Sequence, residues 1–222
     1  MKSPYPLIDI HTHNPVQPET VVALLNLPAP ELLKKNTENV FFSWGVHPWN
    51  SAKADMEKEM KALRELSLKI VMHGLGEVGI DKSRKIPLER QIEVFRMQLE
   101  FAENAHLPVI IHCVRAFQEI IEIRKKMNPK RPWVIHGYSG SKTAAVQLVR
   151  AGCSISFGRQ ILFEENEKIR AAAAVVPFDR IFLETDEWNG NIEELYEELA
   201  KIRGISVASL AEQLRKNFFN LY

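Results

Sequence analysis

Eight short apolar runs, most of them separated by helical patterns, constrain this chain more than any other feature. They are Leu7–His13, Val21–Leu27, Phe41–His47, Ile70–Gly74, Val109–His112, Trp133–Gly137, Ser154–Gly158 and Arg180–Glu184. Several are continuous rather than alternating, the pattern of strands buried on both faces. Ile92, Phe95, Leu99 and Ala102 recur at helical spacing after Pro87, which suits a first helical turn. Phe117, Ile120, Ile121 and Arg124 continue a second stripe, and Ala145, Leu148 and Val149 precede Gly152, a helix stop. The alanine run Ala171–Ala174 predicts a helix over 163–175. Two more follow in the tail, one over 192–203 stopping at Gly204, the other capped by Ser206 with Val207, Leu210, Leu214 and Phe218 on one face. Strands alternating with helices make a parallel sheet with helical crossovers. Eight of them favour closure into an α/β TIM-type (β/α)8 barrel. Pro15, Pro18, Pro28 and Pro30 leave little room for full helices in residues 14–40, so the barrel is expected to be compact and slightly trimmed, with loops there. A length of 222 residues without repeat or linker predicts one domain over 1–222.

The ends of these runs carry side chains with chemistry. His11 and His13 close the first, and Glu77 follows the fourth among Gly74, Gly76 and Gly79. His112 and His136 end the fifth and sixth, and Asp186 follows the eighth. In a parallel barrel one rim collects the C-terminal ends of all strands, and active sites are built there. The six scattered positions then converge on one pocket. Four imidazoles and two carboxylates form a donor set for a pair of divalent ions, and that set suits metal-assisted hydrolysis. Side chains two apart on a strand share a face, so His11 and His13 can grip one ion together, with Asp9 deeper on the same face. Glycines around Glu77 let backbone pass close by, and a carboxylate there can bridge two cations. Each residue has a plainer reading: a structural histidine pair, a solvated loop glutamate, hydrogen-bonded core histidines, and a helix N-cap for Asp186. Six separate plain explanations at equivalent positions are jointly improbable.

Composition sets outer bounds. The chain is 45% apolar and 26% charged, as in ordinary globular proteins, and its net charge of +1 gives no global field for coating nucleic acid. Two cysteines make no disulfide framework, no apolar stretch resembles a signal peptide, and no run approaches the ~18 residues of a membrane span. A cytoplasmic monomer that does not engage the membrane is the expectation.

Other residues are weaker candidates. His47, read as the end of the third strand, could touch substrate or be structural. Arg84, Lys82 and Arg115 could hold a phosphate or carboxylate, Arg by its bidentate fork, or make surface salt bridges. Cys113 beside His112 points to the opposite face of its strand, which argues against a nucleophile pair. His73 and His106 read as structural or surface residues. Trp49 and Trp188 could stack a base or pack the rim.

Taken together, Ile8-Asp-Ile-His-Thr-His13, Gly45-Val-His-Pro48, Gly76-Glu-Val-Gly-Ile-Asp81, Val109-Ile-Ile-His112, Val134-Ile-His-Gly137 and Leu183-Glu-Thr-Asp186 resemble, in order, the TatD family of metal-dependent hydrolases within the amidohydrolase-like superfamily. The resemblance covers about residues 7–220 and implies a barrel with two divalent ions (Mg, Mn, Zn, Co or Ni). It implies one ion on His11, His13, Glu77 and Asp186, and another on Glu77, His112 and His136, with Glu77 bridging. Members are described as deoxyribonucleases, several acting as 3′–5′ exonucleases, so DNA or a small phosphodiester is the implied substrate. This chain departs from the pattern in places. The segment after His13 is compressed. Asp186 is followed by Glu187-Trp-Asn-Gly190 instead of Ser-Pro and a long basic loop. Arg115 lies three residues after His112 rather than two, and Lys82 replaces a frequent aromatic. The centre is thus expected intact and the substrate-gripping loops reduced.

In the mechanism this implies, Glu77 and Asp186 are the catalytic carboxylates, with Asp186 as general base, and His47, Arg84 and Arg115 bind substrate. Competing readings are an amidohydrolase acting on a small amide, lactone or ester, a D-aminoacyl-tRNA deacylase, and a metal-binding barrel without turnover. A PHP-type phosphoesterase shares the first His-X-His, but its further ligands are not evident.

Overall fold

A computed structural model describes residues 4–27, 39–69 and 72–222. Eight strands form one sheet in sequence order: β1 Leu7–Thr12, β2 Val21–Asn26, β3 Val40–Trp44, β4 Gly74–Asp81, β5 Val109–Val114, β6 Trp133–Ile135, β7 Cys153–Phe157 and β8 Ile181–Leu183. Every neighbouring pair is parallel. Past the end of β8 the chain meets β1. The Asp186 N–H donates to the His11 carbonyl at 2.9 Å, and the His13 N–H donates to the Asp186 carbonyl at 3.0 Å. The architecture is the (β/α)8 barrel. β1, β2 and β4 are buried along their whole length.

Five crossover helices follow β3 to β7: α1 Met56–Lys69, α2 Leu88–Asn104, α3 Phe117–Met127, α4 Lys142–Arg150 and α5 Glu167–Ala173. Two more, α6 Ile192–Arg203 and α7 Val207–Phe219, follow β8. No helix joins β1 to β2, in keeping with Pro15 and Pro18; the predicted loop at 28–38 lies outside the described residues. α5 is shorter than the predicted 163–175, because 163–166 form a turn before it. α6 ends at Gly204 in the left-handed conformation, and the Ser206 hydroxyl caps α7 by accepting from the Ser209 N–H.

Two predicted strand positions are corrected. The fourth strand is Gly74–Asp81, not Ile70–Gly74, of which residues 70–71 lie outside the described residues. Glu77 therefore sits within a strand rather than in a glycine-rich loop. The glycines serve close strand approach. A Cβ on Gly76 would lie 2.9 Å from the Ile110 carbonyl oxygen, and one on Gly79 would fall inside the His112 carbonyl. Likewise β3 ends at Trp44, not His47. His47 caps the 3-10 turn that Pro48 begins, its Nδ1 accepting from the Trp49 N–H at 3.2 Å.

α2 explains how these loops are held. Its inward face carries Val94, Phe95, Leu99 and Ala102 together with Gln91 and Gln98. The Gln98 amide accepts from the Val46 N–H at 2.7 Å and donates to its carbonyl at 3.1 Å. Gln91 does the same for Asp81, at 2.8 and 3.2 Å. Two buried amides thus replace ladder partners for the ends of β3 and β4.

Candidate metal centre

All six predicted ligands lie at one rim of the barrel, supplied by the C-terminal reaches of five strands. His11 and His112 lie within β1 and β5; His13 and His136 directly follow β1 and β6; Asp186 lies three residues past β8, and Glu77 is in β4. Asp186 takes a left-handed backbone, φ 55°, which short polar side chains tolerate better than most.

Glu77 stands between two groups of imidazoles. Its Oε2 lies 3.6 Å from His11 Nε2 and 3.6 Å from His13 Nε2, and Asp186 Oδ1 lies 3.6 Å from each of the same two nitrogens. These distances are too long for hydrogen bonds. They match the ~3.3–3.6 Å edge of a tetrahedron of donors about 2.0–2.2 Å from a common divalent ion. The His11 ring is fully buried, and neither of its nitrogens has a hydrogen-bond partner. An imidazole so placed is costly unless a nitrogen is a ligand. The residues present therefore fit a metal. On the other side, Glu77 Oε1 lies 2.6 Å from His136 Nε2, 2.7 Å from His112 Nδ1 and 3.2 Å from His47 Nε2. His47, read as touching substrate or structural, thus belongs to a donor group with Glu77 and His112.

The electrostatics follow from this crowding. Burial pushes the Glu77 carboxyl up, but His136 and the other imidazoles outweigh it and hold it well below the carboxylate range. Burial disfavours a charged His136, yet Glu77 and Glu184 raise it well above an ordinary histidine. Glu77 beside His13 raises that ring too. The Asp186 carboxyl is raised, first by burial and then by Glu184.

Two carboxylates that sequence reasoning did not single out stand behind the imidazoles. Glu184 is fully buried, with Oε1 3.3 Å from His136 Nδ1. Asp81 Oδ2 lies 3.2 Å from His112 Nε2 and accepts from Trp49 Nε1 at 2.7 Å. Burial pushes Asp81 up, but hydrogen bonds from Ser83 and Trp49 bring it down to about 2. Carboxylates on the far nitrogen fix an imidazole's tautomer and orientation. Asp9 lies deeper, as expected, and accepts from the Thr185 N–H at 3.0 Å and hydroxyl at 2.6 Å, tying β1 to the turn before Asp186.

The cationic candidates divide. The Arg84 guanidinium lies over the Trp49 indole, 3.9 Å from its centroid and 4.0 Å from Asp81, on the His112 side of the rim. Lys82 pairs instead with Glu119 at 2.6 Å. Arg115 directly follows β5, is exposed and has no ion pair among the described residues. On the Asp186 side opens a cleft of about 450 Å³, bounded by Gly158–Gln160 and Thr185–Trp188. Cys113 is buried, and burial pushes its thiol up beyond any nucleophilic range.

A parallel barrel with this rim of histidines and carboxylates defines a metal-dependent hydrolase. Residues 25–222 match the family described as "TatD related DNase", and the chain belongs to it. The YcfH protein of Escherichia coli K12, an uncharacterized metal-dependent hydrolase, is 29% identical over 83% of this chain and 74% of its own. A protein of Erwinia amylovora named 3′-5′ ssDNA/RNA exonuclease TatD is 29% identical over 74% of this chain and 64% of its own. In three dimensions the TatD homologue YjjV of Escherichia coli K12 superposes with a TM-score of 0.86 at 24% identity, covering 97% of each chain. No helix among the described residues is long and apolar enough to cross a membrane.

Proposed function

We propose that this metal-dependent hydrolase is a two-ion phosphodiesterase acting on DNA as a 3′–5′ exonuclease. The observation that carries the reading is the split of Glu77, one oxygen facing His11 and His13 and the other facing His112 and His136. A carboxylate so shared is the bridge a binuclear centre needs. His11, His13, Glu77 and Asp186 would hold one ion, and Glu77, His112 and His136 the other, with His47 beside the second.

A divalent pair held there acidifies water and neutralises phosphoryl charge. The chain's own residues do the rest. Glu77, held anionic by its imidazoles, keeps the two halves at fixed separation. Asp186, raised by burial and by Glu184, takes the proton of the attacking water as general base. Arg84, braced on Trp49, meets a non-bridging phosphoryl oxygen, where a preorganised cation helps as charge builds. His47, 3.2 Å from Glu77, would contact substrate on that side of the centre. Arg115, exposed at the end of β5, meets the backbone of a longer strand. Free, buried Cys113 and Cys153 fit a reducing cytoplasm.

The test is hydrolysis of a 3′-labelled single-stranded oligonucleotide by metal-stripped protein after adding back Mg, Mn, Zn or Co, with Glu77→Ala in parallel. Stepwise loss of label that needs both metal and Glu77 is expected. Absence of cleavage with every metal, ions nonetheless bound, would sink the nuclease reading and point to small esters, amides or aminoacyl esters.

A further inference from the structure

The cleft beside Asp186 has chemically specific walls. The turn after Asp186 reads Glu187-Trp-Asn-Gly190. The Trp188 N–H donates to the Thr185 carbonyl at 2.9 Å, folding the turn tightly. The indole then lies back over Gly190, where any Cβ would overlap the ring. Trp188 thereby becomes a cleft wall, half-buried against the core rather than free in solvent. Arg159, from the connection after β7, is the one cation lining the cleft, exposed and without an ion pair among the described residues. Of the three carboxylates there, Glu184 faces His136, Asp186 faces His11 and His13, and exposed Glu187 acts on His13 only through its charge. The volume, about 450 Å³, is at the small end of ligand pockets and fits one nucleotide rather than a run of them.

We propose that this cleft is a mononucleotide subsite, with the Trp188 indole stacking the base and Arg159 holding a phosphate. It rests on the phosphodiesterase reading and adds its end specificity: the terminal nucleotide lodges beside Asp186 and leaves as a mononucleotide. Stacking on an aromatic wall tolerates every base, so the subsite grips an end without reading sequence.

The experiment is calorimetric binding of dAMP, deoxyadenosine and inorganic phosphate to the Mn-loaded protein. Wild type is compared with Trp188→Ala, Trp188→Phe and Arg159→Gln, each checked for an unchanged melting temperature. Trp188→Ala is expected to raise the dAMP Kd about tenfold or more, and Trp188→Phe much less. Arg159→Gln should weaken dAMP while leaving deoxyadenosine unchanged. Wild-type dAMP binding no tighter than phosphate alone would overturn the subsite, as would Trp188→Ala and Arg159→Gln variants that bind dAMP like wild type. The two readings fail separately. Binding of dAMP that depends on Trp188 and Arg159, with no oligonucleotide cleavage, would keep the subsite and refute the nuclease. Metal-dependent cleavage with dAMP binding indifferent to both residues would do the reverse.

Discussion

Glu184 and Asp81 stand beside His136 and His112, on the ring nitrogens that face away from Glu77. Glu184→Gln keeps an acceptor near His136 Nδ1 but removes the charge that favours its alignment. It is expected to weaken metal binding about 10–100-fold with the fold intact, read by chelator competition. An unchanged affinity would show that Glu184 is only a packing residue. Neither carboxylate is legible from the chain alone. Glu184 lies two residues before Asp186 and reads as the tail of a strand, and Asp81 follows Gly79-Ile80 as a turn acid would. Only the pairing of strands puts them behind histidines 48 and 31 residues away. His73, read from the sequence as structural or surface, is structural. Its Nδ1 accepts from the Phe42 N–H at 3.3 Å, and burial holds its pKa below 6.5. A histidine depressed by folding contributes stability that is present above its unfolded pKa and is lost as pH falls through its folded one. Between pH 8 and pH 5 the wild type should therefore lose more thermal stability than His73→Asn. Equal losses would contradict the assignment.

At the scale of elements, β4 is the informative strand. Three glycines in six residues read as a loop, yet Gly74–Asp81 is buried along its length. The local signal misleads because the glycines answer a non-local demand, the close approach of β5. Gly79 has φ 147° as well as contact with the His112 backbone, so a methyl group there meets both backbone strain and a clash. Gly79→Ala is expected to destabilise the protein by more than about 2 kcal/mol in chemical denaturation and to weaken metal binding through His112. A loss under about 0.5 kcal/mol would mean that the two strands separate freely. The helices are better forecast than their neighbours' ends. The stripe Ile92, Phe95, Leu99 and Ala102 declares a buried face directly, though Val94 is buried where Ile92 is only partly so, whereas the ends of β3 and β4 depend on Gln91 and Gln98 reaching across from α2.

Across the whole molecule, the convergence of the six candidate ligands is legible because a closed parallel sheet turns a linear rule, polar chemistry at the ends of apolar runs, into one rim. What surrounds that rim is less so. The cleft walls at Arg159 and Trp188 come from two connections, after β7 and after β8, that no periodicity links. The candidate ligands come from β1, β4, β5, β6 and the turn beyond β8, so an ion held by them would join most of the barrel across its β1–β8 seam. Because ions bind the folded barrel and not the open chain, saturating metal is expected to raise the melting temperature in wild type and to do so much less in Glu77→Ala. The most direct measurement is the number of divalent ions per chain, by elemental analysis of protein loaded and then freed of excess metal. The account predicts two in wild type and at most one in Glu77→Ala. A wild type that retains none, or a single ion indifferent to Glu77, would contradict it.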